Sequence, residues 1–124
     1  MTILHLCLLI VALLPFPWTL IAKLGGRYNN HAPRAYLAAL DGWRARAHAA
    51  HQNAWEALAL FTAAVLVAGQ AGEATTWINT LAVTYVVMRV LHGVLYLLDW
   101  ASLRSLVWFV GLGCVIALFV AGVR

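Results

Sequence analysis

Hydrophobic positions along the chain fall into long runs separated by short polar connections. The first run extends from Thr2 to Ala22, and the second from Ala57 to Gly72 behind a polar lead-in. The third goes from Ala74 past Arg89 to Leu98, and the fourth from Ser105 to Val123. Each approaches the ~20 residues that carry a helix across a bilayer. The pattern predicts an all-α integral membrane four-helix bundle in a single domain, with spans at about 2-23, 44-70, 75-98 and 103-122 and a basic loop at about 24-43.

Composition strengthens this class. Of 124 residues, 65% are hydrophobic and 10% charged, whereas an ordinary soluble domain is about 25% charged. The first run has no basic lead and is interrupted by Pro15 and Pro17, so it reads as a retained span and not as a secretory signal. Cys7 and Cys114 both fall inside predicted spans, which favours buried free thiols over a disulfide. The six tryptophans are expected to serve as interface anchors and in packing, particularly Trp18, Trp43, Trp77 and Trp100 near predicted span ends.

Charge sets the expected orientation. Lys23, Arg27, Arg34, Arg44 and Arg46 lie between spans one and two, while the connection from Gly69 to Thr76 carries only Glu73. The positive-inside rule puts the first loop in the cytoplasm and both termini on the far side, outweighing Arg124. Short loops and a compact chain suggest a bacterial inner membrane.

That topology gathers the polar residues at one depth. Arg46, His51, Asn53 and Glu56 fall in the inner half of span two. Arg89, His92, Tyr96 and Asp99 fall in that of span three, and Arg104, Ser105 and Trp108 open span four. Arg46 to Glu56 and Arg89 to Asp99 each cover about 15 Å of helix. Arg89, His92 and Tyr96 share one helical face with Asp99 at its edge, and Arg46, Asn53 and Glu56 share another.

Charges at helix centre cost roughly 2.5 to 3.5 kcal/mol each on insertion scales, so they pair or line a cavity. Two readings follow. In one, Glu56 neutralises Arg89, Asn53 bonds across helices and the set is interhelical glue. In the other, Arg89, Arg104 and the Arg44/Arg46 pair outnumber Glu56, Asp99 and Asp41, leaving a basic pocket for an anion. His48 and His51 lack a third ligand, so no metal site is expected. No phosphate loop, zinc-peptidase helix or nucleophile elbow is present. The basic residues face a membrane interface, which argues against nucleic acid.

Five elements resemble one family, the membrane-associated proteins in eicosanoid and glutathione metabolism. They are a basic first loop with "NNHAPR", "AHQNAWEAL" over Ala50 to Leu58, Arg-x-x-His-x-x-x-Tyr from Arg89 to Tyr96, Arg104-Ser105 at the start of span four, and the four-span layout itself. The resemblance covers nearly the whole chain. It implies a homotrimer with glutathione bound between neighbouring subunits near the cytoplasmic side. Asn53, Glu56, Arg89, His92 and Tyr96 match positions that hold the tripeptide, and Arg104 with Ser105 match the pair beside its sulfur. It further implies a glutathione-dependent transferase or peroxidase acting on a lipophilic small molecule drawn from membrane lipids. The alternative is a non-catalytic lipid- or small-molecule-binding protein on the same scaffold. Trp108 stands where several eicosanoid-synthesising members have tyrosine, Gln52 where some have arginine, and no proline follows Glu56 between Ala57 and Phe61. These departures argue against a specific eicosanoid activity.

Overall fold

A computed structural model describes residues 1–72 and 75–124. Glu73, on which part of the charge asymmetry rests, lies outside them. Among the described residues the chain is helical, with no strand. Its elements are α1 (Ile3–Leu13), α2 (Pro15–Lys23), α3 (Pro33–Ala38), α4 (Gly42–Gly69), α5 (Thr76–Leu97) and α6 (Ala101–Val123).

Proline chemistry explains the division between α1 and α2. Pro15 has no N–H to give Val11, four residues earlier, and its ring crowds that carbonyl. The Leu14 N–H bonds Ile10 O at 3.0 Å and leans towards Val11 O at 3.4 Å, so the rod bends without ending. The single short helix inside the basic loop, α3, begins at Pro33, whose fixed φ suits a first helical position.

Among the described residues three rods are long and apolar enough to cross a membrane: Ile3–Lys23, Thr76–Leu97 and Ala101–Val123. This is an integral membrane protein. α4, expected as a fourth span, is not among those three because its first half carries Arg44, Arg46, His48, His51, Gln52, Asn53 and Glu56. It nevertheless packs against α1, α2, α5 and α6. Its buried side is a ladder of small residues, Ala47, Ala50, Ala54, Ala57, Ala64 and Ala68, with Phe61 filling the remaining step. Lipid tails are as apolar as leucine, so helices in a bilayer gain by close approach more than by hiding oil from water, and small residues permit that approach.

Two glycines mark where this approach is tightest. A Cβ on Gly122 would collide with the backbone of Val67 and Ala68, and one on Gly93 would collide with the indole of Trp18. Trp18 is 7% exposed. It is therefore a core residue that docks α2 on α5, and of the two expected roles, anchoring and packing, it takes packing. Trp43, Trp77 and Trp100 are exposed. Cys7 and Cys114 are buried free thiols.

Candidate functional site

At the end carrying the basic loop, two of the expected pocket cations have another task. The Arg44 Nε–H donates to Ala22 O at 3.3 Å and its Nη2 bonds the Tyr36 hydroxyl. Arg46 donates from both Nε and Nη2 to Leu97 O, at 3.4 and 3.3 Å. The last carbonyls of a helix have no partner within it, and here each of the last four of α5 finds one. Leu98 N–H takes Val94 O, while Trp100 N–H takes Leu95 O and Asp99 N–H takes Tyr96 O. Arg46 supplies the fourth. The crossed pair of bonds from Asp99 and Trp100 is a Schellman turn, with Asp99 in its left-handed position at φ 60°.

Two corrections follow. Arg44 and Arg46 cap the ends of α2 and α5, so they do not contribute to an excess of free cation. Asp99 is exposed in the turn beyond α5, so it leaves the polar face of that helix, because the Schellman geometry reverses the chain there.

Higher in the bundle, Arg89 is 6% exposed and its Nη2–H donates to Asn53 Oδ1 at 2.6 Å. This bond joins α5 to α4. Arg89, Asn53 and Glu56 all line a cavity of about 110 Å³ whose other walls are apolar. Glu56 itself is exposed. Thus the bond of the buried guanidinium goes to a neutral amide, and a carboxylate stands at the same cavity with a face turned outward.

His92, Tyr96 and Arg104 form a second group nearer the loop. The His92 and Tyr96 rings meet edge to face at 5.6 Å, and the Arg104 guanidinium lies over the Tyr96 ring at 4.2 Å. His92 is 4% exposed, and among the described residues its buried Nδ1 has no hydrogen-bond partner. Ser105, next to Arg104, is exposed on α6. The structure therefore brings Asn53, Glu56 and Arg89 together, and separately His92, Tyr96 and Arg104. Ser105 joins neither group within one chain.

Tyr85 escaped sequence reasoning. It is 3% exposed, lines the cavity, stacks on Phe61 at 4.3 Å and donates its hydroxyl hydrogen to Ala57 O at 3.2 Å. The signal was available: Tyr85 stands four residues before Arg89 and extends its face by one turn. Gly111, also on the cavity wall, gave no signal, since a glycine in an apolar span is common.

The chain that builds this seam is matched by a family model, MAPEG family, over residues 3–124. The chain belongs to the MAPEG family. Membership places it among membrane proteins with roles in glutathione or eicosanoid metabolism. No curated protein and no solved structure matches the chain.

Proposed function

We propose that this MAPEG protein is a membrane-bound, glutathione-dependent transferase or peroxidase that works as a homotrimer in a bacterial inner membrane. α4 serves as the fourth span, and both termini lie on the non-cytoplasmic side. Glutathione binds near the cytoplasmic side, between subunits, through Asn53, Glu56, Arg89, His92 and Tyr96. The observation that carries this reading is the buried Arg89, hydrogen-bonded to a neutral Asn53 beside the outward-facing Glu56.

Glutathione offers two carboxylates and one ammonium. Arg89 suits a carboxylate, Glu56 the ammonium, and the orphaned Nδ1 of His92 a further hydrogen bond. An outward carboxylate at membrane depth is costly against lipid, which supports a neighbouring subunit over Glu56. Arg44 and Arg46 are engaged as caps, so Arg27 and Arg34, both exposed, are the first-loop bases free to meet the second carboxylate.

A free thiol titrates near pKa 8.5 and is mostly protonated at neutral pH. Arg104, in the first turn of α6, adds its own charge to the positive end of the helix dipole, and Ser105 can donate a hydrogen bond to the same sulfur. The proton leaves to solvent, and the thiolate attacks a lipophilic electrophile or the outer oxygen of a hydroperoxide, expelling the leaving group or the alkoxide. The non-catalytic reading draws on a different feature, the apolar side of the cavity.

The test is thiolate absorbance on adding glutathione to the detergent-purified protein near neutral pH, beside Arg104→Ala. The expected result is a band in the parent that disappears in the variant, an intact assembly, and turnover lower by about 10²- to 10³-fold, as when one charge-stabilising donor is removed. Bound glutathione without a band would remove activation from the proposal. Loss of assembly in Arg104→Ala would make the polar seam glue, and absence of binding would leave the lipid-binding reading.

A further inference from the structure

Five of the eight Lys and Arg residues lie from Lys23 to Arg46, and the structure divides them into two kinds. Three are tied down. The Lys23 ammonium lies over the Tyr28 ring at 4.4 Å, Tyr28 meets Tyr36 edge to face at 5.2 Å, and Arg44 bonds the Tyr36 hydroxyl. Arg46 caps α5. The run of cation, ring, ring and cation joins the end of α2, the loop, α3 and the start of α4. Between the two tyrosines the chain turns back on itself, with His31 N–H donating to Asn29 Oδ1 at 3.0 Å and Ala32 N–H to Asn29 O at 3.3 Å. The loop is thus fixed from within, and the other two bases, Arg27 and Arg34, stand exposed on its two arms.

Their surroundings indicate what kind of anion they meet. Leu24 and Trp43 are exposed, at 59% and 45%. A Cβ on Gly25 would lie 4.0 Å from the Trp43 indole, so the indole lies alongside the stretch that leads to Arg27. Water rewards the two bases but not the leucine or the indole. The headgroup level of a bilayer rewards both, because amphipathic rings settle there and anionic lipids attract bases next to a span. A soluble polyanion would match the charge and leave the apolar pair uncovered. A loop already held in shape also loses less freedom when a ligand arrives.

We infer that the basic loop is a docking surface for anionic phospholipid in the leaflet it faces. Arg27 and Arg34 meet phosphate oxygens, and Leu24 and Trp43 rest among the first acyl carbons. Arginine suits this contact, since its planar fork bonds two phosphate oxygens at once. Lipid docking does not depend on the thiol chemistry. A base that meets lipid is withdrawn from glutathione's second carboxylate, so the binding is measured with glutathione absent.

The test is native mass spectrometry of the detergent-purified protein, titrated with dioleoyl phosphatidylglycerol or with dioleoyl phosphatidylcholine, which has the same acyl chains. One base near an anionic lipid surface is worth roughly fivefold in binding. The parent is therefore expected to hold phosphatidylglycerol about 25-fold more tightly than phosphatidylcholine, and Arg27→Gln or Arg34→Gln about fivefold more tightly. Arg27→Gln/Arg34→Gln should hold the two lipids alike. Trp43→Ala should weaken both lipids by the same factor, and inorganic phosphate should not displace phosphatidylglycerol. Equal retention of the two lipids by the parent would overturn the inference. So would a preference that survives in the double variant, because the charge at work would then lie elsewhere. Displacement by inorganic phosphate would also overturn it, by making the two arginines a site for the free anion.

Discussion

Near the basic loop, the helices are tied by N–H donors: Arg44 to Ala22 O, Arg46 to Leu97 O, Arg89 to Asn53. At the opposite end, α1, α4, α5 and α6 meet through Cys7, Val11, Phe61, Val65, Ile78 and Leu118. The difference follows from what lipid can and cannot supply. Away from water an unpaired donor is expensive, so Arg44, Arg46 and Arg89 each dictate where the helix carrying their acceptor must stand. Apolar groups in the other half are nearly as comfortable against lipid as against each other, so that half depends on fit, through the alanine ladder of α4 and the contact at Gly122. Polar ties between helices concentrate in the first half, and close apolar packing in the second.

The sharpest way to break this comparison is to strand the buried cation. Asn53→Leu removes the acceptor of Arg89 Nη2 and leaves a guanidinium that is 6% exposed. A loss of about 3 kcal/mol is expected, from a hydrogen bond to a charged group together with an unpaired buried charge. Arg89→Met should cost far less, because the methionine fills the space without charge, and in Asn53→Leu/Arg89→Met most of the stability should return. Unfolding in mixed detergent measures all three. A double variant no more stable than Asn53→Leu would mean that the pair is not the unit of stability.

Phe61→Ala probes the other half. Phe61 is fully buried and stacked on Tyr85. In a soluble protein this truncation costs about 3 to 5 kcal/mol, combining lost transfer energy with a cavity. In lipid the transfer part is largely absent, so about 2 kcal/mol is expected, nearly all of it the cavity. The same unfolding assay checks it. A loss at the full soluble value would show that hydrophobic transfer still operates between these helices and would weaken the contrast between the two halves.

The long helices were legible because uninterrupted apolar runs and turn formers such as Gly25, Gly26, Asn29 and Asn30 are local signals. Helix faces were legible by arithmetic: Arg89, His92 and Tyr96 follow the helical period, and His92 and Tyr96 do meet. What could not be read was which partner each side chain takes across helices. Arg46 and Asn53 share a face of α4, yet one reaches the end of α5 and the other Arg89, because the helices are displaced along each other by amounts no single-helix pattern contains. Asp99 was misplaced although the third span was expected to end at about 98, because helical spacing was carried past that end into residues where the chain reverses. The positive φ there is uncommon outside glycine, though aspartate is among the residues that adopt it most readily. For Trp18, a position near a span end left anchoring and packing both open, and the socket that decides for packing, at Gly93, lies on another helix.

The smallest effect is expected where the two halves differ least, at a polar tie close enough to water to be replaced. Arg46→Met keeps the apolar stem but removes both donors to Leu97 O. A cation at a helix C-terminus contributes about 0.3 to 1 kcal/mol near a surface, and up to about 2 when partly buried. Arg46 is half-buried, so about 1 kcal/mol is expected, with part of it restored in Arg46→Lys, which retains the charge but has no fork to present two parallel N–H groups. Unfolding in mixed detergent gives the magnitude, and hydrogen exchange at Leu98, Asp99 and Trp100 gives the location, since a capping role predicts faster exchange there and unchanged exchange around Phe61. Arg46→Met costing as much as Phe61→Ala would mean that water does not reach Leu97 O. The seam from Arg46 to Arg89 would then be one dry network, and the boundary between the two halves would lie closer to the basic loop.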